Sequence, residues 1–249
     1  MERETKAVEP LRLTDVLSRS DTIPRLLAAG EVTVWRLHCP PSLPLPAAAV
    51  GLLDDAERSR AARFLRETDR RLFTFSHAML RRILAAFAGL APQAVTYART
   101  PEGKPYLAGG PQFNLSHAGD CAVVAICTDT PVGVDVEAVR ELPDADGLVG
   151  RFFAAEEQVA YQSCPPADRA KAFFTLWTRK EAYSKALGGG LSIPFNDFAV
   201  SLDAPARLLR PWPGAAGPAP QLWDLAMPAG YAGALAATAE RVLCRDFLI

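Results

Sequence analysis

The sequence predicts an α+β fold, on three observations. Apolar, β-branched runs of strand length recur along the chain. Long segments with helical spacing lie between them. The two kinds alternate without the strict strand–helix–strand rhythm of a doubly wound sheet. The chain has 249 residues, 49% hydrophobic and 22% charged. That composition is ordinary for a globular protein and supplies a sizeable core, in one large domain or two small ones.

Taken in order, residues 1–30 mix charges with small apolar side chains and read as an extension with one short helix. EVTVWRLH, from Glu31, alternates and is β-branched, as a strand does. Prolines 40, 41, 44 and 46 then forbid regular structure and mark a loop. Residues 54–87 are helical in pattern. Asp54 or Asp55 is placed to cap a first helix and Asp69 a second, which ends at Gly89 and Pro92. Short strands are expected near 95–98 and 112–116. CAVVAICTD (121–129) is an apolar run, and a turn at Thr130–Pro131 leads into the strand VGVDVE (132–137). These two strands form either a hairpin or the two sides of a domain junction. Helices are expected around 142–150, 154–162 and 168–187, the last stopped by Gly188, Gly189 and Gly190. FNDFAVSL (195–202) and QLWDLA (221–226) read as strands around a proline-rich loop. YAGALAATA (231–239) fits a buried strand or a short helix equally well.

A net charge of −1 gives no global field toward nucleic acid or a membrane, so an anionic ligand must meet a local basic patch. The charged start, MERETKAVEPLR, has no signal-peptide h-region, and no apolar stretch reaches the length of a membrane helix. Cysteines 39, 121, 127, 164 and 244 lack metal-type spacing along the chain, and Cys121 and Cys127 read as core thiols. An odd number of cysteines in a long chain suits a reducing, cytoplasmic compartment.

The chemistry concentrates in two segments. In VGVDVE, side chains alternate, so Val132, Val134 and Val136 face one way and Gly133, Asp135 and Glu137 the other. The two carboxylates then stand ~7 Å apart, two strand rises of ~3.3 Å. Hard divalent cations such as Mg²⁺ take one or two carboxylates plus substrate phosphates. Alone, a D-x-E pair is also what a strand with a solvated face carries. The second segment is the helix AFFTLWTRKEAYSKALGGG. Phe173, Leu176, Tyr183 and Leu187 form its apolar stripe, and Lys180 falls within it, where a lysine must snorkel out or meet a carboxylate. Trp177, Glu181 and Lys185 step along the stripe's edge, and Glu181–Lys185 has the orientation of a helix ion pair.

Upstream, GKPYLAGGPQFNLSHAGD gathers Lys104, Ser116 and His117, all phosphate-compatible donors, among turn-forming residues. His38 and His77 read as packing residues. Arg58, Arg60, Arg63, Arg66, Arg70 and Arg71 are the pattern of a solvated helix face. They have no aromatic interleaving or nucleic-acid motif.

Three separated pieces, GKPYLAGGPQFNLSHAGD, VGVDVEAVR and FFTLWTRKEAYSKALGGGL, resemble in order and spacing the signature motifs of the phosphopantetheinyl transferases, in particular the larger, Sfp-type members. RFFAAEE (151–157) resembles the stretch the family places between the last two. The resemblance runs from about Asp54 to Val200. It implies a pseudo-dimer of two similar α/β subdomains with coenzyme A in the cleft between them. The expected division is 1–30 as an extension, 31–130 as the N-terminal subdomain and 131–249 as the C-terminal one. It implies Mg²⁺ on Asp135, Glu137 and Glu181, and ligand contacts from Lys104, Ser116, His117 and Lys185. Family members carry basic residues near the start of the first helix for the nucleotide 3′-phosphate. Arg60 matches one such position, while Glu57 occupies another, beside Arg58.

The implied reaction transfers 4′-phosphopantetheine to a serine of an apo acyl, peptidyl or polyketide carrier protein. Such carriers serve fatty acid, nonribosomal peptide and polyketide synthesis. Glu181 acts as base, Lys185 and Asp135 serve the phosphates and the metal, and Arg60 and His117 hold the nucleotide. A monomer is expected, with no nucleic acid or membrane partner. Two rival functions are a non-catalytic coenzyme A- or carrier-binding module and a Mg²⁺-dependent phosphohydrolase. A binding module would be expected to have lost one of the three acids, and all three are present.

Overall fold

The computed structural model describes residues 4–7, 11–12, 23, 28–40, 42, 45 and 47–248. The chain divides into two compact units. The first comprises Met1–Arg99, Pro105–Thr130 and Ala239–Ile249; the second comprises Thr100–Lys104 and Pro131–Thr238.

Unit 1 is built on a six-stranded sheet. Strands β1 (Glu4–Ala7), β2 (Leu11–Arg12), β3 (Glu31–His38), β6 (Gln112–Ala118), β7 (Cys121–Cys127) and β13 (Arg241–Leu248) contribute to it. Its order is β1-β13-β3-β7-β6, with β2 also on β13. β3, β7 and β6 pair antiparallel, and β13 runs parallel to β1 and β3. Of the expected extension, Glu4–Ala7 and Leu11–Arg12 are therefore part of the sheet. The one short helix expected within residues 1–30 is not among the described residues of that stretch. The sequence places residues 239–249 in the C-terminal subdomain and offers no strand there; in the structure Ala239–Ile249 belong to unit 1, and Arg241–Leu248 supply the strand between β1 and β3.

Three helices follow β3: α1 (Ala47–Leu52), α2 (Asp55–Ala62) and α3 (Glu67–Ala88). Asp54 caps α2 in a reciprocal capping box with Glu57. Asp69 does not cap α3. Arg66 holds the N-cap position, and Asp69 sits in the first turn, where an acid complements the helix dipole. Gly89, at φ 67°, ends α3 in the left-handed conformation that glycine adopts without strain. The apolar face of α3, with Phe75, Met79 and Ile83, packs with Trp35, Leu37, Val124 and Ile126 of the sheet. Two short strands, β4 (Ala98–Arg99) and β5 (Pro105–Tyr106), pair beyond it.

In unit 2, β8 (Val132–Ala138), β12 (Tyr231–Ala237) and β11 (Gln221–Asp224) form an antiparallel sheet in the order β11-β12-β8. β7 and β8 thus belong to different sheets and lie on either side of the unit boundary. The ambiguous YAGALAATA is a central strand; its small buried residues Ala234 and Ala236 share one core with Phe173 and Tyr183. Helices α4 (Ala145–Phe152), α5 (Ala155–Gln162) and α6 (Arg169–Leu187) complete the unit. Gly188, at φ 79°, terminates α6.

FNDFAVSL forms less strand than its pattern suggests. Phe195–Asp197 is one 3₁₀ turn, and only β9 (Ala199–Val200) pairs, with β10 (Leu208–Arg210). The reason is a buried ion pair. Lys180 Nζ donates to Phe198 O (2.9 Å), and the Val200 amide donates to Glu157 Oε1 (2.7 Å), so backbone groups that would extend a ladder are already engaged.

Candidate active site

The acidic face of β8 meets α6 because of one glycine. A Cβ on Gly133 would lie 2.0 Å from Ala182 O and 2.3 Å from Ala186 N, so a side chain there is excluded. This close approach brings Asp135 and Glu137 to the edge of α6 that carries Glu181 and Lys185. Trp177, Glu181 and Lys185 are all half-buried along that edge, as the helical spacing predicts. Asp135 is only 4% exposed. The face is therefore an interior one rather than a solvated strand surface.

Lys185 supplies the positive charge of this cluster. Its Nζ stands 2.5 Å from Asp135 Oδ1, 3.4 Å from Val134 O and 4.0 Å from Glu181 Oε2. Glu137 has Arg140 at 3.6 Å. Burial pushes the Glu181 carboxyl above its ordinary value; Lys185 opposes the shift, and Asp135 and Glu137 add to it. Burial and the charge of Asp135 likewise raise Glu137, against Arg140 and Lys185. Three mutually repelling carboxylates form an oxygen-only donor set, the chemistry a hard cation such as Mg²⁺ takes. In this fold their oxygens do not all come within 4.8 Å of one another, and the Lys185 ammonium lies among them. The donor chemistry suits Mg²⁺; one ion reaching all three acids requires these side chains to draw together.

Lys104 belongs to the same unit. Its Nζ donates to Val132 O (3.0 Å) and Lys185 O (2.6 Å), linking the start of β8 to the last turn of α6. Burial lowers its pKa to about 8. Lys180, whose place in the apolar stripe demanded a partner, is 0% exposed and meets Glu157 at 2.7 and 2.8 Å. Arg179 similarly grips Asp224 at 2.8 and 2.9 Å. Neither partner was legible in the sequence, because each lies on a separate element.

Unit 1 carries a cavity of about 570 Å³, lined by Arg60, His117, Tyr97 and Phe113 among others. It brings together Arg60 and His117, two of the sequence-derived ligand residues; Arg60 lies over the Phe73 ring at 5.2 Å. Ser116, adjacent on β6, is buried and is not part of the lining. Glu57 also lines this cavity, in place of the basic residue the resemblance leads one to expect. Burial works to raise its pKa, but hydrogen bonds from His77 (Nδ1, 2.9 Å) and Arg81 (Nε, 2.5 Å) outweigh burial and hold it below the ordinary value. His77 thus serves this carboxylate rather than merely packing. Arg58 does not replace Glu57: it donates to Leu53 O and pairs with Asp55 at 2.5 Å. Among the described residues, no helix is long and apolar enough to cross a membrane.

Two family models match the chain. "4′-Phosphopantetheinyl transferase superfamily" matches residues 131–236, and "4′-phosphopantetheinyl transferase, N-terminal" matches residues 40–129. The 4′-phosphopantetheinyl transferase HetI of Nostoc sp. is 35% identical over 189 residues, covering 73% of this chain and 79% of that protein. The 4′-phosphopantetheinyl transferase Sfp of Bacillus subtilis is 25% identical over 155 residues, covering 61% of this chain and 68% of Sfp. The crystal structure of Thermotoga maritima holo-[acyl-carrier-protein] synthase overlays 45% of this chain and 64% of that one. Its TM-score is 0.35 and its identity 21%.

Proposed function

The chain belongs to the 4′-phosphopantetheinyl transferase superfamily, and from that membership we infer that it transfers 4′-phosphopantetheine from coenzyme A to a serine of an apo carrier protein, releasing 3′,5′-ADP. One observation carries the assignment of residues: the Gly133 contact sets Asp135 and Glu137 of β8 against Glu181 and Lys185 of α6.

Asp135, Glu137 and Glu181 would hold Mg²⁺, with Lys185 turning from Asp135 toward the substrate phosphates. When bound, the ion neutralises charge developing on the phosphoryl oxygens. The carrier's serine oxygen forms a bond to the β-phosphorus as the bond to the bridging oxygen breaks. The electron pair leaves with 3′,5′-ADP. Glu181 takes the serine proton directly or through water. Lys185 and Lys104 balance phosphate charge. Arg60 and His117 receive the nucleotide; Ser116, on the opposite face of the same strand, does not line that cavity. The ionised Glu57 leaves Arg60 as the basic residue of that helix for the 3′-phosphate.

The partners proposed are coenzyme A and acyl, peptidyl or polyketide carrier proteins, with one chain sufficing as a monomer. The five cysteines are all free, which supports a reducing, cytoplasmic setting. The test incubates the chain with coenzyme A, Mg²⁺ and apo carrier, following carrier mass and 3′,5′-ADP. Carrier-dependent release of 3′,5′-ADP with the phosphopantetheine mass gain is expected. Release without carrier indicates a phosphohydrolase, and binding without turnover indicates a non-catalytic module. Asp135→Asn should keep the fold, checked by circular dichroism. It should lower transfer by at least about 10–100-fold, the cost of losing even an outer-shell partner of a metal.

A further inference from the structure

We propose that unit 1 carries a second metal site, for a zinc-class divalent cation, formed by His38, Asp120 and Cys121. The three donor atoms lie within 4.8 Å of one another, the only such trio of His, Cys, Asp or Glu among the described residues. Nothing in the transfer chemistry uses them.

The sheet fixes the arrangement. His38 is the last residue of β3 and Cys121 the first of β7, and they are direct cross-strand partners. Ala118 pairs with Cys121 on the other side, so Gly119 and Asp120 are the two-residue turn of the β6–β7 hairpin. Gly119, at φ 59°, takes the position where such a turn requires a positive φ. Asp120 O accepts the Cys39 amide at 2.7 Å, which ties the chain leaving β3 to this turn. All three backbones are thus positioned by ladders or a tight turn before any ligand arrives.

The separations approach the edges of a tetrahedral site, which the Asp120 carboxylate completes by turning one oxygen toward both partners. Zinc bonds of ~2.0 Å to carboxylate oxygen, ~2.05 Å to imidazole and ~2.3 Å to thiolate give ligand–ligand edges of ~3.3 Å for N–O and ~3.5 Å for S–O. His38 Nε2 stands 3.1 Å from Asp120 Oδ2, and Cys121 Sγ 3.6 Å from Asp120 Oδ1. Taken singly, the first distance is a histidine–carboxylate ion pair and the second a thiol hydrogen bond; what singles the trio out is that imidazole and thiol converge on one carboxylate at a turn the sheet fixes. Mixed N, S and O donors select a borderline-soft ion over Mg²⁺. Access is from the His38 side, where the imidazole is 50% and the Asp120 side chain 27% exposed; Cys121 itself is buried. On binding, the Cys121 thiol loses its proton to solvent as the sulfur–metal bond forms, imidazole and carboxylate donate lone pairs, and water takes the fourth position. Ligand spacing along the chain hides the site, because it draws on two strands more than eighty residues apart.

The test titrates the full chain with Co²⁺, in excess Mg²⁺ to compete for oxygen-only sites, under reducing conditions without chelating thiols. A near-ultraviolet thiolate-to-cobalt band should rise with visible tetrahedral bands, saturate at one equivalent and vanish on adding Zn²⁺. His38→Ala, at an exposed position, and Cys121→Ser should each abolish the charge-transfer band, while Cys39→Ser should retain it. No such band in the wild-type chain, or one that survives His38→Ala or Cys121→Ser, would overturn the site. So would a band lost in Cys39→Ser. Cobalt held by the acidic cluster of unit 2 gives no thiolate band, so the outcome is independent of the transferase assignment.

Discussion

Glu181 and Glu137 hold their protons more tightly than ordinary carboxylates because both are partly buried beside Asp135. Their pKa values are raised, so each gains its proton at a higher pH than usual, and charge needed for the metal and for proton acceptance disappears as pH falls. At limiting Mg²⁺, where protons and metal compete for these carboxylates, the acid limb of kcat/KM should therefore lie above the ordinary glutamate value, and saturating Mg²⁺ should move it down. Arg140, 3.6 Å from Glu137, opposes that shift. Arg140→Ala should move the limb upward by roughly 0.2–0.7 of a pH unit, the equivalent of the 0.2–1 kcal/mol of an exposed ion pair. An unmoved limb would mean that Glu137 ionisation does not govern the reaction. The identities of these residues were legible because D-x-E on a strand and Trp177–Glu181–Lys185 on a helix each keep a fixed period. That Lys185 would rest on Asp135 was not, since fifty residues separate them.

At the level of elements, two contacts fix α6. The first is backbone to backbone at Gly133. Gly133→Ala forces β8 and α6 apart, costing about 1–3 kcal/mol as overpacking does. It also moves Asp135 away from Glu181. Transfer should fall further than the denaturation midpoint accounts for, and if activity follows folded fraction alone, the contact does not set the site. The second contact is the Lys180–Glu157 pair, both partners fully buried. Burial lowers the Lys180 pKa to about 8 and raises that of Glu157, and each partner opposes the other's shift. Lys180→Met strands a buried carboxylate and should cost about 3–5 kcal/mol, whereas Lys180→Met with Glu157→Met should recover most of it. Urea denaturation of the two variants measures the difference. The same pair explains why the strand pattern of 195–202 was only partly realised: alternation records which side chains are apolar, not which backbone groups a distant lysine has claimed.

On the scale of the whole molecule, unit 1 is closed by the end of the chain. β13 pairs with β3 over six residues and with β1 over four, between the two. Ending the chain after Thr238 removes this strand and exposes the β3 edge. Amide exchange in β3 and β7 should then lose its protection, while β8, β12 and α6 of unit 2 keep more of theirs. Equal loss in both units would show that they unfold together.

The sequence by itself determined the α+β class, most of the elements and the acids of the site, because periodicity, caps and motif spacing are local properties carried by neighbouring residues. It left YAGALAATA ambiguous, joined β7 to β8 or parted them equally well, and gave no hint of β13. Tertiary structure decided those points, along with the partners of Lys180, Glu57, Lys185 and His38. Each depends on which strands become neighbours and which buried charges must be paired, and burial and pairing are settled only when distant segments meet.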